Sequence, residues 1–201
     1  MTDIPCETSA FDWKLARAIS ILTTAPIAAG ALTLTLFYRV PNAFKNGTHA
    51  ALALLFLCAL PLLSYPISAL VPPIRKKGRD GQRKLAIIFS VIGYALGFAA
   101  CMLLNGAPLE KAMFLTYLLS GAGIALTTLL HFKASGHACG VAGPIFLLSY
   151  ALGPKWYALT LLLALVFWSS LRLKRHTLPQ LVGGSVIPLI ALVISLSVFG
   201  A

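Results

Sequence analysis

The sequence predicts an all-α fold, a polytopic bundle of about six to seven transmembrane helices forming one domain over residues 1–201. Three observations predict it. Of the residues, 59% are hydrophobic and 10% charged, and the mean hydropathy is +0.89, whereas soluble domains are typically about 45–50% apolar. Apolar runs of roughly 20 residues, the length that crosses a bilayer, recur along the chain. The polar stretches between them are short connectors, too short to clothe a soluble core.

The N-terminal segment carries Asp3, Glu7 and Asp12 before any apolar run, so it lacks the basic start of a cleavable signal peptide, and the first span is expected to remain in the protein. Residues 17–38, 50–71 and 85–104 form the first three spans. Residues 109–130 follow the turn Asn105-Gly106-Ala107-Pro108 and complete a hairpin with the span before. Residues 138–171 stay apolar for too long to be one helix, at about 1.5 Å per residue across a core of about 30 Å, so they must turn back. Gly153-Pro154-Lys155 is the natural place, since glycine ends helices and proline begins them. Residues 178–199 form the last span, which brings the count to seven. Pro26, Pro61, Pro66, Pro144 and Pro188 fall inside these spans and are readable as kinks around a cavity or as ordinary membrane-helix prolines.

With seven spans, alternate connectors share a side. The N-terminus and residues 72–84, 132–137 and 172–176 lie on one side; residues 39–49, 105–108, 153–155 and the C-terminus lie on the other. The basic charge is one-sided: of 16 Lys and Arg, only Arg39, Lys45, Lys111 and Lys155 fall on the second side. A basic excess places a side in the cytoplasm unless those residues serve a ligand instead.

Three polar clusters on the basic side read together as an anion site: residues 75–84, 133–137 and 172–180. Arg and Lys bind phosphate oxygens through charge-assisted hydrogen bonds, and Ser135-Gly136 at a helix start offers backbone N–H groups and the positive end of the helix dipole. His137 and His176 fall within these clusters, whereas His49 lies on the opposite side and His131 precedes the second cluster, so both of these are expected to be structural. Cys6, Cys58, Cys101 and Cys139 are scattered singly and read as apolar filler rather than as metal ligands. Only five acidic residues occur, and none is expected inside a span. No carboxylate cage for a metal is therefore expected, nor a cation-coupled transporter with carboxylates at membrane depth, and any phosphoryl chemistry should run on histidine without a cofactor.

At these residues the sequence resembles the type 2 phosphatidic acid phosphatase superfamily, membrane lipid phosphatases related in active-site design to vanadium haloperoxidases. Lys76 and Arg83 have the spacing of that family's first motif, with Lys84 in place of its proline and Arg79 as a rival for the first basic role. Ala134-Ser135-Gly136-His137 is similar to its Pro-Ser-Gly-His. Ser169-Ser170, His176 and Gln180 are similar to its third motif, with Ser170 replacing an arginine and Gln180 an aspartate. Arg172 or Lys174 is placed to supply the missing charge, and Gln180, four residues from His176 on one helix face, to accept its imidazole N–H.

The resemblance implies a site at one membrane interface. There His176 attacks phosphorus, His137 protonates the leaving group, Gln180 orients His176, and Lys76, Arg79, Arg83, Lys133, Ser135, Gly136 and Arg172 hold the phosphate. The implied substrates are phosphatidic acid, phosphatidylglycerol phosphate or a polyprenyl phosphate or diphosphate. The expected partners are that lipid and the bilayer, with no nucleic acid, in a prokaryotic cytoplasmic membrane. A catalytically inactive lipid-binding member and a small anionic-lipid transporter are the alternatives.

Overall fold

The computed structural model describes residues 10–200, all of whose regular elements are helices; Asp3, Cys6 and Glu7 lie outside the described residues. In chain order the helices are α1 (Ala10–Leu22), α2 (Ala25–Arg39), α3 (Gly47–Leu70), α4 (Pro72–Lys76), α5 (Gly78–Leu103), α6 (Pro108–Leu129), α7 (Gly136–Leu152), α8 (Pro154–Arg172) and α9 (Leu178–Phe199). Five of them, α3, α5, α6, α8 and α9, are long and apolar enough to cross a membrane. The pair α1 and α2 makes a sixth if taken as one span bent by 51°.

Against the expected six to seven spans the structure has five to six, and two local features account for the difference from a count of seven. The first span is not one helix over residues 17–38. Thr24 is extended, and Pro26 has no N–H to give the Leu22 carbonyl, so the helical ladder breaks between α1 and α2. Helix α7, the first half of the long apolar stretch, has only 17 residues. It sits among α2, α6, α8 and α9 and is buried along most of its length. Protein rather than lipid surrounds it, which removes the need for full bilayer length. The turn after it falls where expected, at Gly153, whose φ of +96° suits glycine.

Close approach of the helices rests on small residues, as it must where no hydrophobic drive separates helix from lipid. A Cβ on Gly140 of α7 would come 2.2 Å from Ala25 Cβ of α2, and one on Gly97 of α5 would come 2.5 Å from the Phe114 ring of α6. In α3 the ladder widens to a π-helical turn over Leu54–Ala59 just before Pro61, a usual accommodation at a point where a backbone donor is lost. Leu32, Leu36, Leu57, Met113, Phe114 and Leu147 pack into the main core.

Contacts between connectors agree with the alternation of sides. Lys45 Nζ donates to the Leu104 carbonyl (2.9 Å), and His49 Nδ1 lies 2.8 Å from Glu110 Oε1, which brings residues 39–49 and 105–108 to one end. Glu110 corrects the expectation that no carboxylate enters a span. It occupies the first turn of α6, 1% exposed, where its Oε2 also accepts the Ala107 N–H (3.2 Å). His49 as partner and the helix N-terminus make that burial tolerable.

Candidate functional site

A cavity of about 540 Å³ opens at the other end of the bundle and runs inward between α2, α3, α5, α6 and α7. Its outer wall carries Arg17, Arg79, Gln82, Arg83, Gly136, His137, Arg175 and His176; its inner wall carries Tyr65, Ser90, Tyr94, Tyr117 and Ser120. Pro26, Pro61, Pro144 and Pro188 line it, and Pro66 does not. Among the described residues, no Asp or Glu lines it.

The two histidines are placed by local structure. Ser135 caps α7, its Oγ accepting the Ala138 N–H at 3.3 Å, and its own N–H donates to the Gln180 carbonyl at 2.9 Å. The start of α7, with His137 in its first turn, is thereby tied to the start of α9. Thr177 and Gln180 form a capping box on α9, in which Gln180 Oε1 accepts the Thr177 N–H at 3.1 Å. His176, one residue before that cap, has Nδ1 at 3.1 Å from the Lys133 carbonyl and 3.3 Å from Gln180 Oε1. Both oxygens only accept, so Nδ1 carries the hydrogen and Nε2 keeps its lone pair. His137 makes the opposite choice: its Nε2 lies 2.9 Å from the Ser20 carbonyl, so Nε2 carries the hydrogen.

The wall is strongly cationic. Arg83 donates to Thr128 Oγ1 (3.1 Å) and to the Ala134 carbonyl (3.2 Å), and Arg175 donates to Ser20 Oγ. Burial, then the nearby Arg79 and Arg17, hold the Arg175 guanidinium below its usual pKa. Burial chiefly, with Arg83 and Arg79 adding to it, holds the His176 imidazole below its ordinary range, against the opposing pull of its two carbonyl partners. Among the described residues the cavity wall thus groups cations without a lining carboxylate, and such a wall carries a positive potential.

Of the residues singled out in the sequence, His137, His176, Arg79, Arg83 and Gly136 line the cavity. Gln180 and Ser135 stand behind it, holding His176 and the start of α7. Three do not reach the wall. Lys76 is exposed on the short helix α4, which ends before Gly78 (φ +54°), and Arg79, in the first turn of α5, lines the cavity in its place. Lys133 is exposed, 3.9 Å from Asp80, and meets His176 only through its carbonyl. Arg172 pairs with Asp12 of α1 at 2.9 Å. Arg17 and Ser20 line the cavity although sequence reasoning missed them, and Arg175, inside the cluster 172–180, lines it without having been given a role of its own. Arg175 adjoins His176 in the chain, a usable signal, whereas Arg17 and Ser20 arrive only through the placement of α1. Comparison with protein-family models, curated proteins and solved structures finds no match for this chain.

Proposed function

We propose that the protein hydrolyses a lipid phosphate or diphosphate through a phosphohistidine, with its site at one membrane interface. The observation that carries this reading is the pairing of His176, whose Nε2 is left free by two carbonyl acceptors on Nδ1, with His137 on a cavity wall bearing Arg17, Arg79, Arg83 and Arg175. A nucleophile needs a lone pair, an acid needs a proton, and a phosphoryl group in transfer needs its equatorial charge neutralised; the wall supplies all three.

In the first step the P–N bond to His176 Nε2 forms as the P–O bond to the lipid breaks, and the departing oxygen takes the Nδ1 proton of His137, which enters the step as imidazolium. In the second step water attacks phosphorus, gives its proton to His137, and the P–N bond breaks. The arginines, with the Gly136 N–H and the positive end of α7, hold the phosphoryl oxygens throughout. The cavity runs into an apolar bundle, which suits a ligand whose chain stays in the bilayer while its phosphate meets the cationic mouth.

Phosphate release by the purified protein from phosphatidic acid and from a polyprenyl diphosphate, with EDTA present, tests the reading. Release should be lost by at least about a thousandfold in His176→Ala, on the scale of removing a nucleophile; release retained in that variant would sink it. A binding-only role is favoured by Gln180, a neutral partner that stabilises an imidazolium less than a carboxylate does. Tight lipid-phosphate binding without release would select that role.

A further inference from the structure

No motif of the site lies on α1, yet its last turn touches two members of the site through one residue. Ser20, 6% exposed, lines the cavity. Its carbonyl is 2.9 Å from His137 Nε2, and its hydroxyl accepts from the Arg175 guanidinium. Helix α1 is held against the bundle: Asp12 pairs with Arg172 at 2.9 Å, and the helix packs on α8.

We propose that Ser20 is a positioning residue, its carbonyl fixing the His137 ring with Nε2 protonated and its hydroxyl pinning Arg175 at the cavity mouth. This rests on the phosphohistidine reading above. A backbone carbonyl offers only lone pairs, so the Nε2 hydrogen stays with Ser20 and Nδ1 is the nitrogen that trades protons. His137 enters the first step as imidazolium: its Nδ1 proton goes to the departing oxygen as the P–O bond breaks, which leaves the neutral ring with its hydrogen on Nε2, and Nδ1 is reprotonated by the attacking water. Arg175 needs a tether because Arg79 and Arg17 repel it, and without an acceptor its long side chain would relax toward water.

The test uses the full chain in detergent and three readouts. In ¹⁵N-histidine spectra of the wild-type protein, with His137 assigned by the signals missing from His137→Ala, the neutral ring should carry its hydrogen on Nε2. By calorimetry with inorganic phosphate as the probe, Ser20→Ala should weaken binding about tenfold, as expected for a lost hydrogen bond to a charged group, and Ser20→Thr should restore it. In an Arg175→Ala background, Ser20→Ala should cost nothing further. A hydrogen on Nδ1 of neutral His137, additive effects of the two substitutions, or failed rescue by threonine would overturn the proposal. If Ser20→Ala does not fold, the wild-type spectrum still decides the His137 half and Ser20→Thr the other, since a threonine protein that folds must bind phosphate within about twofold of wild type. Intact tautomer and coupling together with no release from any lipid phosphate would instead remove the hydrolase reading and leave the role of Ser20 standing.

Discussion

Gln180 stands beside His176 where an aspartate is expected from the resemblance, and the difference sets a pH dependence. In the proposed mechanism His176 attacks as neutral imidazole, so activity should fall as pH drops through its pKa. Burial and the Arg83 and Arg79 charges depress that pKa, so the acidic limb of kcat/KM should lie below about 6.5, the ordinary histidine value. Gln180→Glu adds a negative charge that favours imidazolium, and the limb should move upward by about one pH unit or more; a limb that stays in place would mean that His176 is not the titrating nucleophile. Lys76 and Arg79 compete for one role and are separable by kinetics. Arg79→Ala should raise KM by more than about tenfold, as loss of a charge-assisted contact does, and Lys76→Ala should leave it within about twofold. The His176–Gln180 contact was legible in the sequence because it spans four residues of local structure. The Lys133 carbonyl on the same ring was not, since it depends on a connector 43 positions away.

At the scale of helices, glycine spacing decides how near the elements come. The Gly140 Cα faces Ala25, so a methyl there must push α2 from α7. Gly140→Ala should cost roughly 1–3 kcal/mol, the usual range for overpacking, read as a lower Tm in detergent; an unchanged Tm would show that the two helices separate freely. Hydropathy reads helices by composition, and it located α3, α5, α6 and α9 closely because lipid demands apolar length of each. It joined α1 to α2, since a bend changes direction and leaves composition untouched. It also counted α7 as a span, although its surroundings are other helices.

For the molecule as a whole, the grouping of connectors by side carries a prediction of its own. Single cysteines at Lys77 and Lys174 should react with a membrane-impermeant maleimide from one face of sealed vesicles, and cysteines at Lys45 and Lys155 from the opposite face. Labelling of all four from one face would undo the topology. The His49–Glu110 pair and the cationic cavity lie at opposite ends of the bundle, so the only carboxylate buried among the described residues stands clear of that cavity. The sequence by itself determined the helical membrane bundle, the one-sided basic charge and the two histidines within it, because these follow from composition, run length and parity, all local or additive properties. Tertiary structure alone decided which cations face the cavity, which nitrogen of each histidine is left free, and that the N-terminal helix supplies Arg17 and Ser20. These depend on where helices distant in the chain pack, and side-chain directions over such distances are fixed by packing and not by spacing.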